Sequence, residues 1–320
     1  MEYTHLGRSG LSVSRLCLGT MNFGWKTEEA DAHEIMDRAL AEGVNLFDTA
    51  NVYGFDAGKG RTEEVLGSWF ARGGERREKT VLATKVYGSM SDWPNDTFLS
   101  ARNLVRSCEA SLRRMRTDWV DLYQFHHVDP STPWDEIWQA CETLVAQGKV
   151  LYVGSSNHAA WQIAAANEAA ARRHFLGLVS EQSHYNLLTR HVELEVLPAA
   201  AHYGVGVIPW SPLAQGLLAG VLAGQEGSRR HAYEERIEQH RPALQAYEDA
   251  CREWGLAPAD VGLAWLLHQP AVTAPIVGPR TTAQLEGSLR ALDVRLDEAQ
   301  LARLDEIFPG YEPAPVEYAW

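Results

Sequence analysis

The chain has 320 residues, 45% of them hydrophobic and 22% charged, and a net charge of −13. That balance is ordinary for a globular protein, and the acidic excess argues against nucleic acid or an anionic membrane surface as a partner. No apolar stretch approaches the roughly 20 residues of a membrane helix, and MEYTHLGRSG lacks a secretory leader pattern, so cytoplasmic residence is expected.

In chain order, residues 3–13 (YTHLGRSGLSV) read as a hairpin turning at Arg8–Gly10. Eight strand candidates follow: RLCLG (15–19), VNLFD (44–48), VLATK (81–85), VDLYQF (120–125), VLYVG (150–154), LVSEQ (178–182), VGVIPW (205–210) and APIVG (274–278). Most are continuous apolar runs, as expected of strands covered on both faces. Helical patterns alternate with them. Residues 31–42 place Ile35, Met36, Ala39 and Leu40 on one face before Gly43. Residues 133–147 start with Thr132 as an N-cap and Pro133 at the first position, with Ile137, Cys141, Leu144 and Val145 as the stripe. Residues 298–307 follow Asp297, with Leu301, Leu304 and Ile307 inward. The connection 211–242 is charge-rich in its second half, which reads as a mobile loop, with 225–240 as a solvated insertion.

Eight strand–helix alternations over one domain, residues 1–320, predict an α/β (β/α)8 TIM barrel with an N-terminal β-hairpin cap and long loops on the C-terminal face. The alternative, an open doubly wound sheet, commonly carries GxGxxG after its first strand, and that pattern does not occur here. The four cysteines, Cys17, Cys108, Cys141 and Cys251, stand more than 30 residues apart, so buried reduced thiols are expected.

On a barrel the C-terminal strand ends form the active face. Asp48, Lys85 and His126 end the second, third and fourth strand candidates, and Tyr53 lies just after the second. A free phenol titrates near 10, too high for ready acid–base work. A neighbouring Lys lowers that value, a carboxylate holds the Lys charged, and an imidazole can bond a substrate oxygen. Each of the four alone has an ordinary structural reading. Together on successive strand ends they point to acid–base catalysis.

The motifs FDTANVYG, LATK, DLYQFH, VGSSN, EQ followed by YN, PWSPLAQG and VGPR carry a resemblance. In order and spacing they resemble those of the aldo-keto reductases, in particular the branch with bacterial ketone reductases and potassium-channel β-subunits. The resemblance spans essentially the whole chain. It implies a (β/α)8 barrel and NAD(P)H-dependent reduction of an aldehyde or ketone, with Tyr53 as general acid. Lys85 and Asp48 would lower the Tyr53 pKa, and His126 would orient the carbonyl.

It also implies cofactor contacts at Thr20 and Met21 beside Asp48. Ser156, Asn157 and Gln182 would hold the carboxamide, and Trp210 would stack on the nicotinamide ring. Ser211, Pro212, Leu213, Gln215 and Gly216 would wrap the pyrophosphate; Gly278, Arg280, Gln284 and Ser288 would lie at the adenosine end. Arg280, read as opening a helix, favours a 2′-phosphate and therefore NADPH over NADH. The chain departs from the family at Val221, where related proteins carry Lys, and at Gly287 and Ser288, where an acid and Asn are usual.

Phe23, Trp25, Phe55, Trp93 and His127 are the candidate substrate-pocket residues, a wall suited to a flat ring or a sugar face. The resemblance implies a small carbonyl compound as partner, a keto-sugar or aryl carbonyl among the options, and is compatible with a homo-oligomer. Two other readings compete. A non-catalytic nicotinamide sensor like the channel β-subunits is disfavoured by His126, where the resemblance implies Asn in those proteins. A metal-dependent hydrolase would draw on His126, His127 and Asp129, but adjacent strand residues point to opposite faces, and no metal site is expected.

Overall fold

The structure, a computed structural model, describes residues 1–222 and 234–313. All eight strand candidates become strands: β3 (Cys17–Gly19), β4 (Leu46–Asp48), β5 (Val81–Val86), β6 (Val120–Phe125), β7 (Val150–Ser156), β8 (Leu178–Gln182), β9 (Gly206–Val207) and β10 (Ile276–Val277). They form one parallel sheet in the order β10-β3-β4-β5-β6-β7-β8-β9. The ends of that sheet meet: the Thr273 N–H donates to the Val207 carbonyl at 2.8 Å and the Ile276 N–H to that of Pro209 at 2.8 Å. The architecture is the expected (β/α)8 barrel.

Alternation along the strands sorts side chains into two layers. Cys17, Leu46, Val81, Ala83, Leu122 and Ile208 share the barrel interior. Leu18, Phe47, Leu82, Tyr123 and Phe125 belong to a larger cluster with the surrounding helices. The N-terminal hairpin, β1 (Tyr3–His5) paired antiparallel with β2 (Ser12–Ser14), closes the bottom, and its Leu6 and Val13 are buried in the interior cluster.

Three local expectations need correction. Pro133, not Thr132, occupies the N-cap position of the helix Trp134–Ala146, and the Thr132 hydroxyl donates to Asp129 Oδ2 at 2.7 Å instead. Arg280 does not open a helix: Thr281 caps Thr282–Arg290, and the Thr281 side chain accepts from the Gln284 N–H. Of the stretch read as a loop, residues 225–233 lie outside the described residues, but 234–240 begin the helix Glu234–Trp254. Ile237, Leu244, Tyr247 and Cys251 bury one of its faces. Nine acidic or basic residues and Pro242 mask that stripe in the sequence.

One helix contact makes a direct stability test. A side-chain carbon on Gly67, in the helix Arg61–Phe70, would come within 2.1 Å of the Arg114 carbonyl oxygen in the helix Ala101–Met115. Alanine's better helix propensity is worth about 1 kcal/mol, while overpacking against backbone costs about 1–3 kcal/mol, here at the upper end. Gly67→Ala is therefore expected to destabilise by about 2 kcal/mol in urea unfolding followed by tryptophan fluorescence.

Candidate active site

The four acid–base residues converge at the C-terminal mouth of the barrel. Asp48 and Lys85 are inward positions on β4 and β5, and the register aligns Lys85 with Gln124 on β6. Lys85 is fully buried. Its Nζ donates to Asp48 Oδ2 at 2.5 Å, to the Thr49 carbonyl at 2.9 Å and to the Tyr53 hydroxyl at 3.3 Å. Its three protons thus have three acceptors, one of them the phenol. Asp48 is saturated in turn, because Oδ1 accepts from Gln124 Nε2 at 3.0 Å and Gln182 Nε2 at 2.9 Å.

The electrostatics follow from this packing. Burial is the largest influence on Lys85 and opposes its charge, but Asp48 and Tyr53 outweigh it and hold the ammonium above its ordinary pKa. For Tyr53 the expectation of a lowered pKa does not hold. Burial raises the phenol above its ordinary value; Lys85 pulls it down, and Asp48 pushes it up. Asp48 therefore serves Tyr53 only by keeping Lys85 in place and charged. Burial, with Lys85 and His127 nearby, lowers His126 to about 3, so its imidazole is neutral at ordinary pH. Its ring meets the Tyr53 ring edge-on, centroids 5.9 Å apart. His127 turns the other way, 5.4 Å from the Tyr87 ring.

The proposed carboxamide residues gather beside this set. Ser156, buried at the end of β7, donates to the Gln182 carbonyl at 2.9 Å. Asn157 adopts a left-handed φ of 62°, and its amide nitrogen donates to the His126 carbonyl at 3.2 Å. Its Oδ1 accepts from Trp210 Nε1 at 3.1 Å. Trp210 lies beyond β9 and stacks on His184, centroids 4.2 Å apart and planes within 9°. Thr20 donates to the Asp48 carbonyl at 2.9 Å, while Met21 is exposed.

Ser211, Ala214, Gln215 and Gly216 all have positive φ, so the backbone turns tightly through 211–216, with Pro212 and Leu213 inside the turn. Further round, the Gly278 carbonyl accepts from Asn22 at 3.1 Å and the Arg280 N–H donates to Gln284 Oε1 at 2.8 Å. Ser288 donates to the Gln284 carbonyl at 3.1 Å. Amide and hydroxyl side chains beside a fixed indole suit a nicotinamide carboxamide, and the 211–216 turn suits a diphosphate. These residues fit a dinucleotide.

The substrate-pocket candidates divide. Trp25 and Phe55 pack with centroids 4.3 Å apart, Phe55 and Trp93 are exposed, and His127 lies on the rim. Phe23 is a correction: it is fully buried in the barrel–helix core, and so faces no pocket. Gln124 was missed in the sequence, although two-residue alternation from Leu122 to His126 points it inward. Tyr87 and Phe98, 5.3 Å apart, extend the aromatic rim, and Arg236 reaches Gln215 Oε1 at 3.0 Å. Neither Phe98 nor Arg236 sits in a motif, so neither carried a signal.

Comparison with known proteins agrees with this geometry. The model of the Aldo/keto reductase family matches residues 15–308. Similar proteins include the "Uncharacterized oxidoreductase YrpG" of Bacillus subtilis, 53% identical over all of both chains. A "Probable voltage-gated potassium channel subunit beta" of Arabidopsis thaliana is 32% identical over 99% of this chain and 100% of its own. The "Versiconal hemiacetal acetate reductase" of Aspergillus parasiticus is 29% identical over 96% of each. By its fold, its strand-end residues and this family match, the chain belongs to the aldo/keto reductase family and is an NAD(P)H-dependent oxidoreductase acting on carbonyl compounds.

Proposed function

We propose that the protein reduces an aldehyde or ketone to the alcohol with NADPH, Tyr53 acting as general acid. The observation that carries this reading is the Lys85 ammonium bonded at once to Asp48, to the Thr49 carbonyl and to the Tyr53 hydroxyl. Lys85 donates to the phenol oxygen and so stabilises the phenolate left when the proton moves to the nascent alkoxide. A raised phenol pKa keeps that proton in place at neutral pH, as a donor requires. Neutral His126 offers an N–H to the same substrate oxygen. A nicotinamide bound across Ser156, Asn157 and Gln182 supplies the hydride.

Arg280 is the proposed partner of a 2′-phosphate, since guanidinium binds phosphate in a bidentate fork. The aromatic rim of Trp25, Phe55, Tyr87, Phe98 and Trp93 favours a substrate with a flat apolar ring or a sugar face. The likeness to a named hemiacetal acetate reductase fits a carbonyl of some size.

The test is oxidation of NADPH and of NADH, read at 340 nm, with aryl aldehydes, aliphatic ketones and keto-sugars as substrates. Turnover is expected with NADPH and an aryl or sugar carbonyl, with no acidic limb from His126 above pH 5. Tight NADPH binding without turnover on the whole panel would instead favour a regulatory subunit of the kind named for the potassium-channel relatives.

A further inference from the structure

Behind the barrel wall lies a fully buried carboxyl that the proposed reaction does not use. Glu181 precedes Gln182 on β8 and bonds its register partner Ser155, on the side of the strand opposite to Gln182, which bonds Asp48 inside the barrel. Ser155 Oγ donates to its Oε2 at 2.5 Å. The His158 N–H donates to Oε1 at 3.1 Å, and Ser183 Oγ donates to the same oxygen at 3.0 Å. These donors bracket the proposed carboxamide contacts: Ser155 precedes Ser156, His158 follows Asn157, and Ser183 follows Gln182. Between them Asn157 holds a left-handed φ of 62°, a conformation that asparagine adopts more readily than most non-glycine residues.

We propose that Glu181 is a positioning residue: its carboxylate holds the 155–158 turn so that Ser156 and Asn157 face the nicotinamide, and loss of its charge weakens cofactor binding. This rests on the nicotinamide site proposed above. A charged acceptor bonds two hydroxyls and a backbone N–H more strongly than a neutral one. Protonation turns one carboxyl oxygen into a donor, so a serine hydroxyl facing it must reverse to accept and its charge-assisted bond is lost.

Burial pushes the Glu181 carboxyl up to about 7, opposed by Ser155, His158, Ser183 and Asn157. The charged form therefore gives way to the neutral one as pH falls through about 7. The other titratable groups around the turn behave differently. His158 packs against the cluster through its backbone and is held neutral by burial down to about 4. His126, across the Asn157 amide, is neutral above about 3. Burial and Arg236 lower His184, and His127 lies on the solvent side. Lys85 and Asp48 lie across the wall, beyond Gln182. On the β9 side the register partner is Val207, which does not titrate.

The experiment measures the dissociation constant of NADPH by tryptophan quenching from pH 5.5 to 9, for the intact wild type and Glu181→Gln. Groups shared by both proteins, including the NADPH phosphate, cancel in the ratio of the two constants. The wild type is expected to gain about tenfold in affinity over the variant between the acid and alkaline ends, with a midpoint near 7. The two should bind alike at acid pH. A ratio that stays flat overturns this inference alone; a wild type that binds no NADPH at any pH overturns it together with the cofactor reading. Should Glu181→Gln fail to fold, Ser155→Ala keeps the acid and removes one donor. Its midpoint should then move to higher pH, and an unmoved midpoint overturns the proposal.

Discussion

Replacing Tyr53 by Phe is expected to lower carbonyl reduction by about 10²–10⁴-fold, the usual contribution of a positioned general acid. The loss should fall on kcat and leave NADPH affinity within about twofold, because no proposed cofactor contact uses the phenol oxygen. Phe keeps the ring that meets His126 edge-on. It does remove one of the three acceptors of Lys85 Nζ, the longest at 3.3 Å. Two shorter bonds, to Asp48 and the Thr49 carbonyl, still hold the ammonium, so the fold should survive. Steady-state kinetics beside cofactor titration make the check. A variant that retains wild-type kcat would remove Tyr53 from the reaction.

The second large effect is expected from Lys85→Met. Lys85 is fully buried and Asp48 nearly so, and removing one partner of such a pair typically costs about 3–5 kcal/mol because the other charge is stranded. Activity should also vanish, since nothing else among the described residues donates to the Tyr53 hydroxyl. The two losses can be separated by adding Asp48→Asn. The amide can still accept from Gln124 and Gln182, so the double variant should recover most of the stability and none of the turnover. Urea unfolding of the two single variants and the double variant measures the coupling. If the double variant is no more stable than Lys85→Met alone, the buried pair is not the source of the cost.

The barrel was largely legible because its strands are short apolar runs, each ending in a polar turn. Runs covered on both faces keep that signature whatever their neighbours are. Helical stripes survived wherever charge stayed on the solvent side, as in Glu29–Ala41 and Glu298–Ile307. They were lost in Glu234–Trp254, where acids, bases and Pro242 crowd a face carrying few apolar residues. Phe23 shows the opposite failure. An aromatic in a loop beside an active face reads as a pocket wall, but burial in the core depends on where the helices Glu29–Ala41 and Arg61–Phe70 pack.

The eight strand runs, the strand-end position of Asp48, Lys85 and His126, and the motif set that marks the family all follow from the sequence by itself. Period-two alternation and the ends of apolar runs are local properties, and they need no knowledge of neighbouring strands. Which of Glu181 and Gln182 enters the barrel is not local. Between β7 and β8 the register shifts: Val153 pairs with Leu178, but Gly154 pairs with Ser180. That one-residue slip turns Gln182 inward to Asp48 and Glu181 outward to Ser155, where unbroken pairing would have exchanged them. The tertiary structure also decided the Tyr53 pKa, because burial outweighs the pull of Lys85 only when the barrel mouth is packed around the phenol. Both outcomes depend on contacts between residues far apart in the chain, which only the closed barrel brings together.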